Sequence, residues 1–232
     1  MNQQPYLTEQ NEPAVSSAAL AKSFMNRVYM WMAVSMLLTA GTAAYAVQDI
    51  EIVQWVLEHW LMLCLGTLGI VFGMSFGASR LSFGALALLL LLFSFMEGLI
   101  FGPILLSYSQ DTVCKAFGCT ALMFGGMSIF GALTKRDLST MGRTLITLFI
   151  GLLGALIINI FWGNSMLDLG ISCAGVVIFA LFTAYDTQNL LKIGLCDDPT
   201  VQSKGAVLGA LTLYLDFINL FLMLLRLFGR DE

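Results

Sequence analysis

Seven apolar runs, each near the length of a membrane span, constrain this chain more than any other feature. Crossing the hydrocarbon core takes roughly 20 apolar residues in a helix. Such runs are read at about 28–48, 55–78, 83–107, 112–133, 144–163, 168–190 and 206–228. The connections are short, so consecutive helices should pack antiparallel in one bundle. The expected organisation is a polar N-terminal tail over 1–22 and a seven-helix transmembrane domain over 23–232. The fold class expected is therefore an all-α integral membrane protein.

Composition agrees. Apolar residues make up 58% of the 232, charged residues 11%, and mean hydropathy is +0.85. A soluble domain carries about 25% charged residues. A net charge of −4 does not suit a nucleic-acid binder, which presents a basic face. The first 20 residues lack the apolar core of a cleavable signal peptide. The cysteines, Cys64, Cys114, Cys119, Cys173 and Cys196, show no metal or redox spacing and read as small apolar residues. The single His59, between Glu58 and Trp60, reads as interfacial.

Lys and Arg set the expected orientation. Lys22, Arg27, Arg80, Lys135, Arg136, Arg143, Lys192 and Lys204 fall on one face of the bundle; Lys115, Arg226 and Arg230 fall on the other. The bias places the N-terminus in the cytoplasm. The two arginines at the C-terminal end weaken the assignment for the last span.

Glycines recur at helical spacing, with Gly66, Gly69, Gly73 and Gly77 in the second span and Gly118, Gly125, Gly126 and Gly131 in the fourth. They predict close approach of helix backbones in lipid. Pro103 either kinks the third span or is tolerated near the membrane surface.

Three carboxylates inside predicted spans need an explanation: Glu97, Asp186 and Asp216. A charge in the bilayer centre costs at least about 2.5–3.5 kcal/mol, so each should face the bundle interior, a cavity or a partner. Asp186 with Asn189, and Asp216 with Asn219, share the form D-x-x-N, which puts an acid and an amide on one helical face. Thr212 extends the second stripe. The two stripes are expected to face each other or to share a cavity. Arg80, at the same end, is within reach of an aspartate there, and Glu97 would mark the other end of a path. Two acids in a site of low dielectric hold one proton between them and so respond to pH. Two carboxylates, two amide oxygens and water would bind calcium weakly, which suits passage better than storage.

At these residues the sequence resembles the transmembrane Bax inhibitor motif family, and its bacterial members most of all. The resemblance rests on Glu97-Gly98-Leu99 leading to Gly102-Pro103-Ile104, on TAYDTQ at 183–188, on LYLDFINLF at 213–221, and on Arg80. It implies a seven-helix fold with the last helix surrounded by the other six. It also implies a pH-sensitive calcium leak, with Asp186 and Asp216 as paired pH sensor and ion gate, and Arg80 competing for one of them. No resident cofactor is expected; calcium would be the transported ion. A bacterial inner membrane is the expected location.

Two other classes of function remain open at this level. An intramembrane aspartyl protease also uses two membrane aspartates, but Leu213-Tyr214-Leu215 stands where that class has Gly-Leu-Gly. A non-transporting regulator would bind membrane proteases or other membrane proteins through the tail and the small-residue faces.

Overall fold

The computed structural model describes residues 12–196 and 198–231. The described residues form helices and no strand: α1 (Glu12–Ala46), α2 (Ile50–Glu58), α3 (Trp60–Gly77), α4 (Phe83–Leu106), α5 (Gln110–Leu133), α6 (Ser139–Trp162), α7 (Ser165–Ile193) and α8 (Pro199–Phe228), followed by a short 3-10 turn. Seven of the helices are long and apolar enough to cross a membrane. Helix α1 begins inside the stretch expected as polar tail, and Ala21 on it is already buried. The remainder of that tail, 1–11, lies outside the described residues.

Local chemistry sets the helix ends. Ser82, Ser109, Asn164 and Asp198 each cap an N-terminus by accepting a backbone N–H with the side-chain oxygen. Pro199 at the start of α8 has no N–H to lose. Gly163 ends α6 at φ 58°, a left-handed conformation that glycine adopts without a Cβ clash.

The run read as one span over 55–78 is two helices. The chain breaks at His59, whose ring stacks on Trp55 and bonds the Trp55 carbonyl at 2.8 Å. Before the break, α2 buries only Val53 and Val56, and Val56 packs with Leu63 and Ile100. Hydropathy alone joins the two segments because Trp55 and Trp60 keep the run apolar across the polar Glu58-His59 step.

Helix α8 is the most buried span, with 67% of its most apolar window inside the protein, against 11% for α6 and 17% for α3. It packs against α1, α4, α5 and α7, while α3 leans chiefly on α4, and α6 on α7. Those four helices make the main contacts with α8. On the outside, Phe76, Leu122, Ile160 and Phe161 are largely exposed, as lipid-facing side chains are in a bundle whose solvent is hydrocarbon. Inside, Ser94, Thr120 and Thr183 satisfy their hydroxyls on carbonyls one turn back.

The glycines divide. A Cβ on Gly131 would strike the Ala184 backbone of α7, and one on Gly98 would meet the Thr39 carbonyl of α1 at 2.7 Å. These are true backbone crossings. Gly69, Gly73, Gly118, Gly125 and Gly126 have nothing within 4 Å of a Cβ. The expected close approach fails at those five, because among the described residues no other helix comes within contact distance of them. Pro103 sits inside α4, three residues from its end, and the helix continues past it.

Candidate functional site

Helices α7 and α8 run antiparallel, and their contacts fix the register. Ile193 meets Gly205, Leu190 meets Gly209, and Met223 meets Gly175. The first turns of α8 therefore extend beyond the end of α7. Counted from the Ile193–Gly205 level, Asp186 is 7 residues along and Asp216 is 11. The difference of 4 residues is about 6 Å along the axis. Helical side chains lean toward their own N-terminus. In antiparallel helices that tilts Asp186 and Asp216 toward each other, and their carboxyl groups come within hydrogen-bonding range.

The pair lines a cavity of about 540 Å³. Helix α3 contributes Cys64, Thr67 and Phe72, α4 contributes Phe93 and Glu97, α6 contributes Phe149, and α8 adds Thr212 and Asn219. No Lys or Arg is among the described residues lining it. Asp216 is only 6% exposed, and among the described residues no donor reaches its Oδ2. A lone carboxylate so placed would lack compensation, so the neighbouring acid is the group positioned to share a proton with it.

Glu97 shares the cavity, beside the Thr67 hydroxyl. Thr67 also donates to the Cys64 carbonyl at 3.0 Å. Asn219 shares it as well, and donates Nδ2 to the Leu215 carbonyl at 2.7 Å. Its amide oxygen is a separate acceptor that this bond does not use. Asn189 does not join them: it is exposed and outside the cavity lining. Three residues along a helix is about 60° short of a full turn, enough to carry Asn189 around α7 and past the cavity edge. Arg80 lies exposed in the turn after α3 and forms no ion pair among the described residues.

Two features had no clear signal in the sequence. The rings of Phe149, Phe179 and Phe182 pack on one another at centroid distances of 5.8–6.2 Å and wall the cavity beside Asp186. Phenylalanine is common in any membrane helix, so nothing marks these three beforehand. The other is Tyr214, fully buried two residues before Asp216. Its hydroxyl pairs with Thr39 Oγ1 at 2.8 Å, and its ring meets the Phe93 ring edge-on at 5.3 Å. Thr39 borders a second cavity of about 550 Å³, almost wholly apolar, between α1 and α5. Phe93 borders the acidic one. Helix α8 and the Phe93–Tyr214–Thr39 stack therefore separate an acidic cavity from an apolar one.

Among the described residues, no group of three or more His, Cys, Asp or Glu side chains is placed to hold a metal ion. The acid pair can offer oxygens to a passing cation but is not a built cage.

Comparison with known proteins agrees with this architecture. Residues 21–232 match the family described as inhibitor of apoptosis-promoting Bax1. The chain is 38% identical to the inner membrane protein YbhL of Escherichia coli K12, over 94% of this chain and 96% of that protein. It is 42% identical to a Deinococcus radiodurans protein, over 89% of this chain and 90% of the relative. A Borreliella burgdorferi protein is 36% identical over 91% of this chain and 93% of its own length. With seven apolar helices and a family match over nearly its whole length, the chain belongs to the Bax inhibitor family of membrane proteins.

Proposed function

We propose that the protein is a proton-controlled cation leak that carries calcium, gated by Asp186 and Asp216. One observation carries the reading: two acids from separate helices meet in a cavity whose described lining offers no basic residue. With one proton between them the acids bridge α7 to α8. A change in that proton count alters both the bridge and the charge that a cation meets. Glu97 and Asn219 supply further oxygen ligands along the cavity, and two carboxylates with amide oxygens and water hold calcium only weakly. Arg80 acts in this reading only if the turn after α3 moves, since its guanidinium starts outside the cavity.

The excess of Lys and Arg at one end supports an inner-membrane orientation with the N-terminus in the cytoplasm. The reading is tested by calcium flux into proteoliposomes across a pH series, wild type against Asp216→Asn. The expected result is a pH-dependent flux in the wild type that the variant lacks. A variant that keeps both the flux and its pH response removes the role assigned to the pair.

A further inference from the structure

The end of the bundle rich in Lys and Arg holds a recess unrelated to the acid pair. It lies where α5 ends, where the α5–α6 connection crosses and where α7 ends. Lys135, Arg136, Asp137 and Lys192 edge it, and its volume is about 440 Å³. A neighbouring recess of about 350 Å³ is lined by Met25, Tyr29 and Leu191, with Lys22 at its rim. The two share Ala21, Ala132 and Leu191, so they form one depression. It is open because α1 packs on α4, α7 and α8 while α5 packs on α7 and α8, which leaves a groove between α1 and α5.

The charged part is held in place from beneath. Gln188 on α7 accepts the Leu138 N–H at 2.8 Å and donates to the Arg136 carbonyl at 2.9 Å. Lys192 Nζ bonds Asp137 Oδ1 at 2.8 Å and Ser139 Oγ at 2.9 Å. These bonds fix the connection onto α7 through the Arg136 backbone. They leave the Lys135 and Arg136 side chains exposed and in no ion pair among the described residues. Four cations, Lys22, Lys135, Arg136 and Lys192, face one carboxylate, Asp137, so the depression carries a net charge of +3.

We propose that this depression seats one anionic phospholipid. Its phosphate sits among Lys135, Arg136 and Lys22, and an acyl chain lies along Met25, Tyr29 and Leu191. The ligand must be negative at one end and apolar at the other, because the depression passes from charged to apolar within a few residues. Basic pockets between membrane helices recognise headgroups of this kind. A free phosphate would use only the charged half.

The test is native mass spectrometry of the full chain in detergent, titrated with phosphatidylglycerol, with phosphatidylcholine bearing the same chains, and with inorganic phosphate. Phosphatidylglycerol is expected to bind about tenfold or more tighter than phosphatidylcholine. Lys135→Gln with Arg136→Gln should weaken it by roughly fivefold per cation removed. Asp137→Asn removes the one carboxylate of the depression and should strengthen it severalfold. Arg143→Gln, exposed at the same end but outside both recesses, should leave binding unchanged. Opposite responses of the double variant and of Asp137→Asn cannot come from loss of fold. Equal affinity for the two lipids, or a double variant that binds like wild type, overturns the proposal. So does inorganic phosphate that displaces the lipid at equal concentration.

Discussion

Asp186 and Asp216 stand about four residues out of register on antiparallel helices, yet their carboxyl groups meet. The offset is closed by the tilt that every helical side chain has toward its own N-terminus. Had the offset run the other way, the two side chains would lean apart. The pairing thus depends on how α8 slides against α7, and Gly205, Gly209 and Gly175 set that position at their contacts with Ile193, Leu190 and Met223.

The crossing of α5 over α7 lies beside this site, since Gly131 abuts the Ala184 backbone two residues from Asp186. Gly131→Val forces the helices apart and is expected to cost about 1–3 kcal/mol. Gly125→Ala, with open space at its Cβ, is expected to be neutral or to stabilise by about 0.5–1 kcal/mol. Thermal unfolding in detergent distinguishes the two. Equal effects would mean that the crossing is not close.

The bond between Thr39 and Tyr214 gives an asymmetric pair of variants. Tyr214→Phe removes one hydroxyl while Thr39 keeps carbonyl partners at Ser94 (2.9 Å) and Ser35 (3.0 Å). Its expected cost is about 0.5–1.5 kcal/mol. Thr39→Val strands the buried Tyr214 hydroxyl and is expected to cost about 1–3 kcal/mol. Unfolding of both variants in one detergent checks the order, and the reverse order would count against the assigned geometry.

Outside the membrane, the Lys192 ammonium and then the Ser139 hydroxyl and N–H hold the Asp137 carboxyl down at about 2. Its folded value therefore lies below the ordinary carboxylate value of about 3.9. The stability it contributes is fully present above the ordinary value and is lost as pH falls through about 2. Asp137→Asn should lower the melting temperature slightly at neutral pH, less at pH about 2, and not at all at still lower pH. The effect is small because the ion pair is exposed. Melting curves at the two pH values read the difference.

Much of this was legible in the residues. A bilayer imposes span length and excludes charge, so the seven helices and the burial of Asp216 follow from hydropathy and from the exceptions to it. The break at His59 was not legible, because Trp55 and Trp60 keep the run apolar on both sides. Nor was the separation of Asn189 from Asn219. Both follow an aspartate by three residues, but only the position of each helix against its neighbours decides whether the amide reaches the cavity. The glycines show the same limit: Gly131 and Gly125 look alike in sequence, and only Gly131 meets another backbone. For Arg80 the sequence suggested an end of the bundle, but it did not show that the side chain lies outside the cavity lining.

The most direct test follows calcium entry into proteoliposomes across a pH series for wild type, Asp186→Asn and Asp216→Asn, with protein content and fold matched by circular dichroism. The wild type is expected to show a pH-dependent flux that is flattened in both variants, since either substitution removes the shared proton. Flux with an unchanged pH profile in either variant, or no calcium flux from the wild type at any pH, would contradict this expectation.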